Sequence, residues 1–249
     1  VPAYNRTNPA LWINIGSENK DLALVGMHVV GTVAGHPEMV WATFEHVDNA
    51  PDKAYSYTNN RGSTTQVPFN SAGSWTFTTS GAADTNVIDE YQKVVTETIA
   101  GQPVSTITAQ NVNNVTKIRP VDLVRVNPWG DLPDGVRGGG TTALIANATD
   151  LISLNSTVNT QLQAVGDLRG NYFQSGSIWS ANGEIPTSGT EAFLRGSLNT
   201  ANATMETYHQ FSSASGGSTT PNCFGCHFVT GGTPGNGTSH IFGHMKALQ

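Results

Sequence analysis

The stretch that decides the fold is LALVGMHVVGTVAGHPEMVWATFEHV, residues 22–47. Its two arms, Leu22–Val33 and Glu38–Val47, are rich in Val, Trp, Phe and Thr, and the segment Ala-Gly-His-Pro lies between them. This pattern predicts two antiparallel strands. Because side chains alternate between the two faces of a strand, Glu45 and the adjacent His46 cannot share a face, which argues against a Glu-His catalytic pair there.

Apolar residues also recur at helical spacing further along the chain. One set lies in residues 86–100: Ile88, Tyr91, Val95 and Ile99. Another set is Leu151, Leu154, Val158, Leu162 and Val165. These sets predict two helices, and Met205–Phe211 is expected to belong to a third. Between the first two, IRPVDLVRVNPWGDLP (residues 118–133) predicts a strand that leads into a turn rich in Pro and Gly.

Charged residues are scarce in this chain. Of its 249 residues, 12% are Asp, Glu, Lys or Arg, and the formal net charge is -6 with a pI near 5.5. Nucleic acid binding requires clustered Lys and Arg side chains that displace counterions, and the lysines here are far apart in the sequence. The composition therefore argues against a nucleic-acid partner, and it is typical of a periplasmic or extracellular protein.

Both cysteines of the chain lie in NCFGCHF, residues 222–228. The pattern CxxCH is the attachment signature of haem c. On one helical turn, positions i, i+3 and i+4 share a face. Cys223 and Cys226 can then form thioethers with two vinyl groups on one porphyrin edge, and His227 can bind the iron as the proximal ligand. The sequence therefore predicts one covalently bound haem c.

Two other interpretations of the cysteine pair stay open. The spacing of Cys223, Cys226, His240 and His244 falls within the Cys2His2 range, which allows a structural zinc site. The connector FVTGGTPGNGTS (residues 228–239) lacks, after its first two residues, the helix and the core apolar residues of a classical zinc finger. A disulfide would close too short a loop to constrain much of the unfolded chain. We therefore favour haem c.

The sequence offers several ligands for the other side of the iron. His240 is the first candidate, because the Gly-rich connector after His227 is long enough to pass around the porphyrin edge. The alternatives are His46, His28, His244 and Met245. His28, which we expect across from the Thr43–Phe44 region, and His46 are also the candidates for a catalytic acid–base group. For any one of these histidines, a hydrogen-bonded structural role is the simpler interpretation.

Together these patterns predict an α+β protein. We expect an N-terminal antiparallel β region and a more helical C-terminal half that carries the haem-attachment segment. The chain is predicted to be a single haem-binding domain over residues 1–249. The alternative is a division into a β-rich part (1–140) and a helical haem-attachment part (141–249).

Two features of the sequence bear on its location. No stretch reaches the roughly 20 consecutive apolar residues that a membrane-spanning helix needs. The chain begins with Val1 instead of Met and shows no signal peptide, which indicates a processed or trimmed chain. Because haem c is attached outside the cytoplasm in bacteria, we expect an exported periplasmic or extracellular protein without an integral membrane segment.

Four blocks of sequence carry a resemblance to a known group of proteins. They are HPEMVWATFEHVDNAP (36–51), LRGNYFQSGSIW (168–179), ATMETYHQF (203–211) leading into NCFGCHF, and SHIF (239–242). In these blocks the chain resembles bacterial exported monohaem proteins called cytochrome c family proteins, and CFGCH is the most specific element. The resemblance implies one haem at Cys223, Cys226 and His227. Since members often carry additional N-terminal sequence, it also implies that this chain is a trimmed portion.

The leading functional prediction is a monohaem c-type cytochrome that transfers single electrons outside the cytoplasm. Its partner would be a redox protein or a small-molecule electron donor or acceptor. A haem-c enzyme, peroxidase-like or a small-molecule oxidoreductase, is the alternative, because 249 residues are many for carrying one haem. A structural or filament-forming haem subunit and a structural zinc site are further alternatives.

Overall fold

The structure is a computed structural model, and it describes residues 2–4, 14–17, 19, 22–70, 72–83, 90–99, 102–111, 122–131, 140–210, 222–225 and 227. Its strands are β1 (Pro2–Tyr4), β2 (Asn14–Ser17), β3 (Gly26–Val33), β4 (His36–His46), β5 (Tyr55–Thr58), β6 (Thr64–Val67), β7 (Glu90–Ile99), β8 (Gln102–Asn111), β9 (Tyr172–Ser180) and β10 (Leu194–Gly196). Its helices are α1 (Gly140–Ala164) and short 3-10 helices at Leu168–Asn171, Thr207–Gln210 and Cys223–Gly225. Within these ranges, no helix has the length and apolar character needed to span a bilayer.

The hairpin predicted from residues 22–47 is confirmed. β3 and β4 pair in antiparallel register, and His28 lies directly opposite Thr43. Along β4, Glu45 is buried whereas its neighbour His46 is half-buried. The two side chains therefore occupy opposite faces of the strand, as the alternation predicts.

A four-stranded antiparallel sheet, in the order β10-β9-β4-β3, forms around this hairpin. β9 follows α1 in the chain and pairs with β4, so that Trp41 lies opposite Ile178 and Glu45 opposite Phe173. One face of the sheet is covered, and its core cluster contains Trp41, Ile178 and Leu194. We call this side the buried face. Because β4 and β9 come from opposite sides of residue 140, the sheet joins both halves of the chain, and the domain division stays a prediction.

The helix predicted over residues 86–100 is wrong. Residues 90–99 form β7, which pairs with β8 from Glu90 opposite Asn111 to Ile99 opposite Gln102. Both strands are rich in Val, Thr and Ile, whose branched side chains lose rotamer freedom in a helix and fit a pleated strand. Tyr91, Val95 and Ile99 are separated by four residues, an even number, so their spacing also fits one face of a strand.

The other helical predictions have mixed outcomes. The set from Leu151 to Val165 falls on α1, apart from its last residue, and that prediction is confirmed. The segment Met205–Phe211 gives only the 3-10 helix Thr207–Gln210 within the described residues. Of the strand predicted in residues 118–133, the described part makes an isolated bridge between Arg125 and Asp52. Antiparallel sheets formed before α1, and one sheet built from strands on both sides of α1 in the chain, give an α+β architecture.

A buried cation holds the segment 122–131 against the sheet. Arg125 is 4% exposed, and its Nε donates to Asp52 Oδ1 at 2.5 Å. One terminal nitrogen donates to Glu45 Oε2 at 3.3 Å, and the other donates to the Ala50 carbonyl at 2.5 Å. The guanidinium also lies 4.8 Å from the centroid of the Phe173 ring. All three nitrogens of the guanidinium are therefore satisfied by the protein.

We expect Arg125→Ala to lower the free energy of unfolding by roughly 3–5 kcal/mol, because it leaves a buried carboxylate without its counter-charge. Urea denaturation at neutral pH measures the change. Arg169→Ala is the matched control, since Arg169 pairs with Asp167 at the surface and its side chain is 77% exposed; it should change stability far less. Equal effects of the two substitutions would contradict the structural role assigned to Arg125.

Candidate functional site

The described residues of NCFGCH, 222–225 and 227, lie on a helical turn. The Gly225 amide donates to the Asn222 carbonyl at 2.9 Å, and the His227 amide donates to the Cys223 carbonyl at 2.8 Å. The second bond spans four residues, as in an α-helix, and it brings Cys223 and His227 to one face of the turn. Cys226 lies outside the described residues, so its place in the site stays a prediction. We call residues 222–227 the cysteine turn.

Polar contacts from the two segments that flank β10 fix the start of this turn. The Asn222 side-chain amide donates to the carbonyls of Gly189 at 3.0 Å and Leu198 at 3.2 Å. The Cys223 amide donates to Thr200 Oγ1 at 3.2 Å, and the same hydroxyl lies 3.5 Å from Cys223 Sγ. Because the Thr200 hydroxyl contacts both the amide and the sulfur of Cys223, the position of the Cys223 sulfur is set by the loop that follows β10.

An aromatic anchor fixes the turn to the sheet. Phe224 is fully buried in the core cluster with Trp41, Ile178 and Leu194, and Cys223 packs partly against the same cluster. The Phe224 and Trp41 rings meet edge to face, with centroids 6.1 Å apart. Phe224, the second residue of CFGCH, therefore anchors the turn in the apolar core.

The imidazole of His227 packs on the sheet. Its ring centroid lies 4.4 Å from that of Trp41, and the two rings are tilted by 36°. His227 remains half-buried, while Trp41 is almost wholly buried. The sequence did not predict this contact, because the two residues are far apart in the chain. The only signal was the position of Trp41 within the block that carries the resemblance.

Among the other ligand candidates, His28 and His46 lie within the described residues, on different faces of the sheet. His28 is opposite Thr43 and so shares the buried face with Trp41. His46 lies on the other face, where its ring meets Tyr172 edge-on at 5.1 Å and its Nδ1 accepts from the Asp48 amide at 3.2 Å. His240, His244 and Met245 lie outside the described residues, so the identity of a second ligand stays a prediction.

The environment of His28 favours its protonated form. His28 Nε2 lies 3.1 Å from Glu206 Oε1. This hydrogen bond raises the pKa of His28 above its usual value, and the charges of Glu206 and Glu45 add to the effect, while burial opposes it. His28 Nδ1 is buried and makes no hydrogen bond within the described part of the chain. The pair is a partly enclosed acid–base group that the sequence alone did not indicate.

Two buried carboxylates, Glu45 and Glu38, also lie on β4. Burial raises the pKa of Glu45, and Arg125 and the Ala203 amide, which donates to Glu45 at 2.8 Å, oppose that shift. Glu38 is also fully buried, and its Oε1 accepts from the Ser180 amide at 2.9 Å and meets His36 Nδ1 at 2.9 Å. Neither residue was predicted as a site residue, because an acidic residue in a strand is normally exposed.

Comparisons with known proteins add no identification. No protein-family model matches the chain, no curated protein is significantly similar to it, and no solved structure matches its fold. In the part of the chain that the structure describes, no three His, Cys, Asp or Glu side chains are grouped as a metal site. Since Cys226, His240 and His244 lie outside that part, both the haem and the zinc interpretations stay predictions.

Phe224→Ala should lower the free energy of unfolding by about 3–5 kcal/mol, because it leaves a cavity in the core cluster. The change is measured by urea denaturation. Leu168→Ala serves as the control, because Leu168 is 77% exposed and its truncation should have little effect. A small change for Phe224→Ala would mean that the cysteine turn does not pack on the sheet in solution.

Glu206→Gln should lower the pKa of His28, because it removes the negative charge and the charged hydrogen bond that favour the imidazolium. The pKa is read from an NMR titration of labelled histidine, with the His28 signal assigned by His28→Asn. Glu184→Gln, which alters an exposed carboxylate, should leave that pKa unchanged. If Glu206→Gln also leaves it unchanged, Glu206 does not hold His28 in solution.

Proposed function

We propose that this chain is a monohaem c-type cytochrome that carries single electrons outside the cytoplasm. The observation that carries the proposal is the hydrogen-bonded helical turn that brings Cys223 and His227 to one face, as attachment of haem c requires. Cys223 and Cys226 would hold the haem through thioethers, and His227 would bind the iron as the proximal ligand. A bound haem supplies a one-electron couple.

The described residues fit such a group. Cys223 and His227 are both only partly buried, so neither residue is fully enclosed by the fold. The turn is fixed by Phe224 in the core, and Trp41 packs on the His227 imidazole. These contacts limit rotation of the imidazole, and an immobile proximal ligand suits electron transfer because little has to reorganise.

For the second ligand we keep His240 as the first choice. Two imidazoles would keep the iron six-coordinate in both redox states, and they would favour a lower potential than a His–Met pair. His244, Met245, His28 and His46 are the alternatives. Of these, His28 is already held by Glu206, and His46 lies on the face of the sheet opposite Trp41, which favours a ligand from the segment after His227.

The second candidate function is a haem-c enzyme. One observation favours it: the partly buried His28–Glu206 pair lies on the same sheet face as Trp41 and is suited to proton transfer. Such an enzyme needs an open or displaceable position on the iron. A carrier with two strong ligands does not.

The first experiment is an optical spectrum of the protein matured in the bacterial periplasm, oxidised and dithionite-reduced, followed by its pyridine haemochrome. We expect a c-type α-band. Cys223→Ala and Cys226→Ala should each shift the haemochrome towards that of a haem with one thioether, and His227→Gln should disturb the ligand-field bands. His36→Gln, a histidine outside the cysteine turn, should leave the spectrum unchanged.

Two outcomes would change the assignment. Ready binding of carbon monoxide or cyanide at neutral pH, with a high-spin resting spectrum, would favour the enzyme over the carrier. A colourless protein would overturn the haem proposal. Metal analysis would then test Cys223, Cys226, His240 and His244 as a structural zinc site, and every redox role would be withdrawn.

A further inference from the structure

A groove lies along α1, at the end of the buried face away from the cysteine turn. It encloses about 450 Å³, and its floor includes Phe173 and Arg125. This volume is within the range of small-molecule sites. A second cavity of about 250 Å³ shares Tyr55 and Trp129 with it, so the groove continues along the helix. We call the larger cavity the aromatic groove.

One wall of the aromatic groove consists of aromatic rings. Tyr55 and Trp129 meet at a centroid distance of 5.6 Å and an angle of 74°, and Trp129 and Phe173 meet at 5.4 Å and 60°. Trp75 is a further aromatic residue that lines the groove. Rings that contact one another edge to face support each other's orientation, so the wall is a fixed apolar surface.

The opposite wall is neutral and polar. It is formed by one face of α1, where five lining residues carry amide or hydroxyl groups: Asn155, Ser156, Asn159, Thr160 and Gln163. Their spacing of three and four residues puts them on adjacent rows of the helix. Asn155, Thr160 and Gln163 already donate to backbone carbonyls, so this wall offers a ligand chiefly the Ser156 hydroxyl and the Asn159 amide, without charge and beside the apolar Ile152.

The two charged residues that line the aromatic groove neutralise each other. Asp52 accepts from Arg125 Nε at 2.5 Å, and the remaining nitrogens of Arg125 donate to Glu45 and the Ala50 carbonyl. A charged ligand would therefore find no uncommitted counter-charge among the lining residues, and it would lose its hydration without compensation. The groove favours a neutral ligand.

Side-chain bonds to the backbone fix both walls in place. Asn155 Nδ2 donates to the Gln174 carbonyl at 2.8 Å, and Asn155 Oδ1 accepts from the Gln174 amide at 2.7 Å. Earlier on α1, the Asn147 side chain donates to the Trp129 carbonyl. The helix is thus tied to β9 and to the loop that carries Trp129, and a ligand need not order the site on binding.

We propose that the aromatic groove is a binding site for a neutral carbohydrate. A sugar ring has an apolar C–H face that packs on aromatic rings and a rim of hydroxyls that bond to amides and hydroxyls. A purely apolar ligand would satisfy the aromatic wall but leave the Ser156 hydroxyl and the Asn159 amide desolvated without a partner from the ligand. This function is separate from the proposed haem and does not depend on it.

Saturation-transfer NMR on the full chain tests the proposal, with glucose, galactose, mannose, N-acetylglucosamine, maltose and cellobiose as probes. We expect saturation of the ring C–H protons of at least one of these neutral sugars at millimolar concentration. Glucuronate and glucosamine, the charged counterparts, should receive less. No transfer to any neutral probe, or equal transfer to the charged ones, would overturn the proposal.

Two variants locate the binding. Asn159→Leu removes hydrogen bonds from the polar wall, and Trp75→Ala removes a ring from the aromatic wall; each should weaken the bound sugar about tenfold. Gln161→Leu, which replaces an exposed amide on α1 outside the groove lining, is the matched control and should bind as the parent does. Thermal melting verifies that each variant folds. Unchanged binding in both groove variants would sink the assignment, whereas a colourless protein that still binds sugar would overturn only the haem proposal.

Discussion

Alternation of side chains along β4 from Trp41 to Glu45 is the constraint on which the rest of the structure depends. It puts Trp41, Thr43 and Glu45 on one face of the central strand, and the four steps from Trp41 to Glu45 span about 13 Å. The cysteine turn packs at the Trp41 end through Phe224, and Arg125 binds at the Glu45 end. One buried face therefore positions two separate sites, and a slip of one residue in the register would remove both.

The buried bonds of Arg125 explain how a chain with few ionisable groups fixes the segment 122–131 against the sheet. Taking Arg125 out of water is costly, and its bonds to Asp52, Glu45 and Ala50 offset that cost only when all of them form together. That requirement fixes the path of residues 122–131 relative to β4. It also leaves the aromatic groove without an unpaired cation, because Arg125 is paired with carboxylates inside the fold.

The sequence predicted the parts of the fold that follow from local patterns. The hairpin of residues 22–47 and the face-sharing of Cys223 and His227 both depend on short-range periodicity, which a strand or a turn obeys wherever it lies. The spacings of four residues in β7 fit the periods of both a helix and a strand, and only the pairing with β8 decides between them. The Trp41–His227 contact and the aromatic groove join segments distant in the chain, and no local pattern encodes such contacts.

A chain of polar contacts connects the middle of the buried face, where His28 lies opposite Thr43, with its Arg125 end. His28 binds Glu206, whose other oxygen accepts from the Asn202 amide, and the next amide, that of Ala203, donates to Glu45 beside Arg125. A substitution at Glu45 would therefore disturb both His28 and Arg125, and its effects could not be assigned to either residue alone. Phe224 contacts only the cysteine-turn end and Asn159 lines only the aromatic groove, and neither takes part in this chain of contacts. Substitutions at these two residues therefore test the two sites separately.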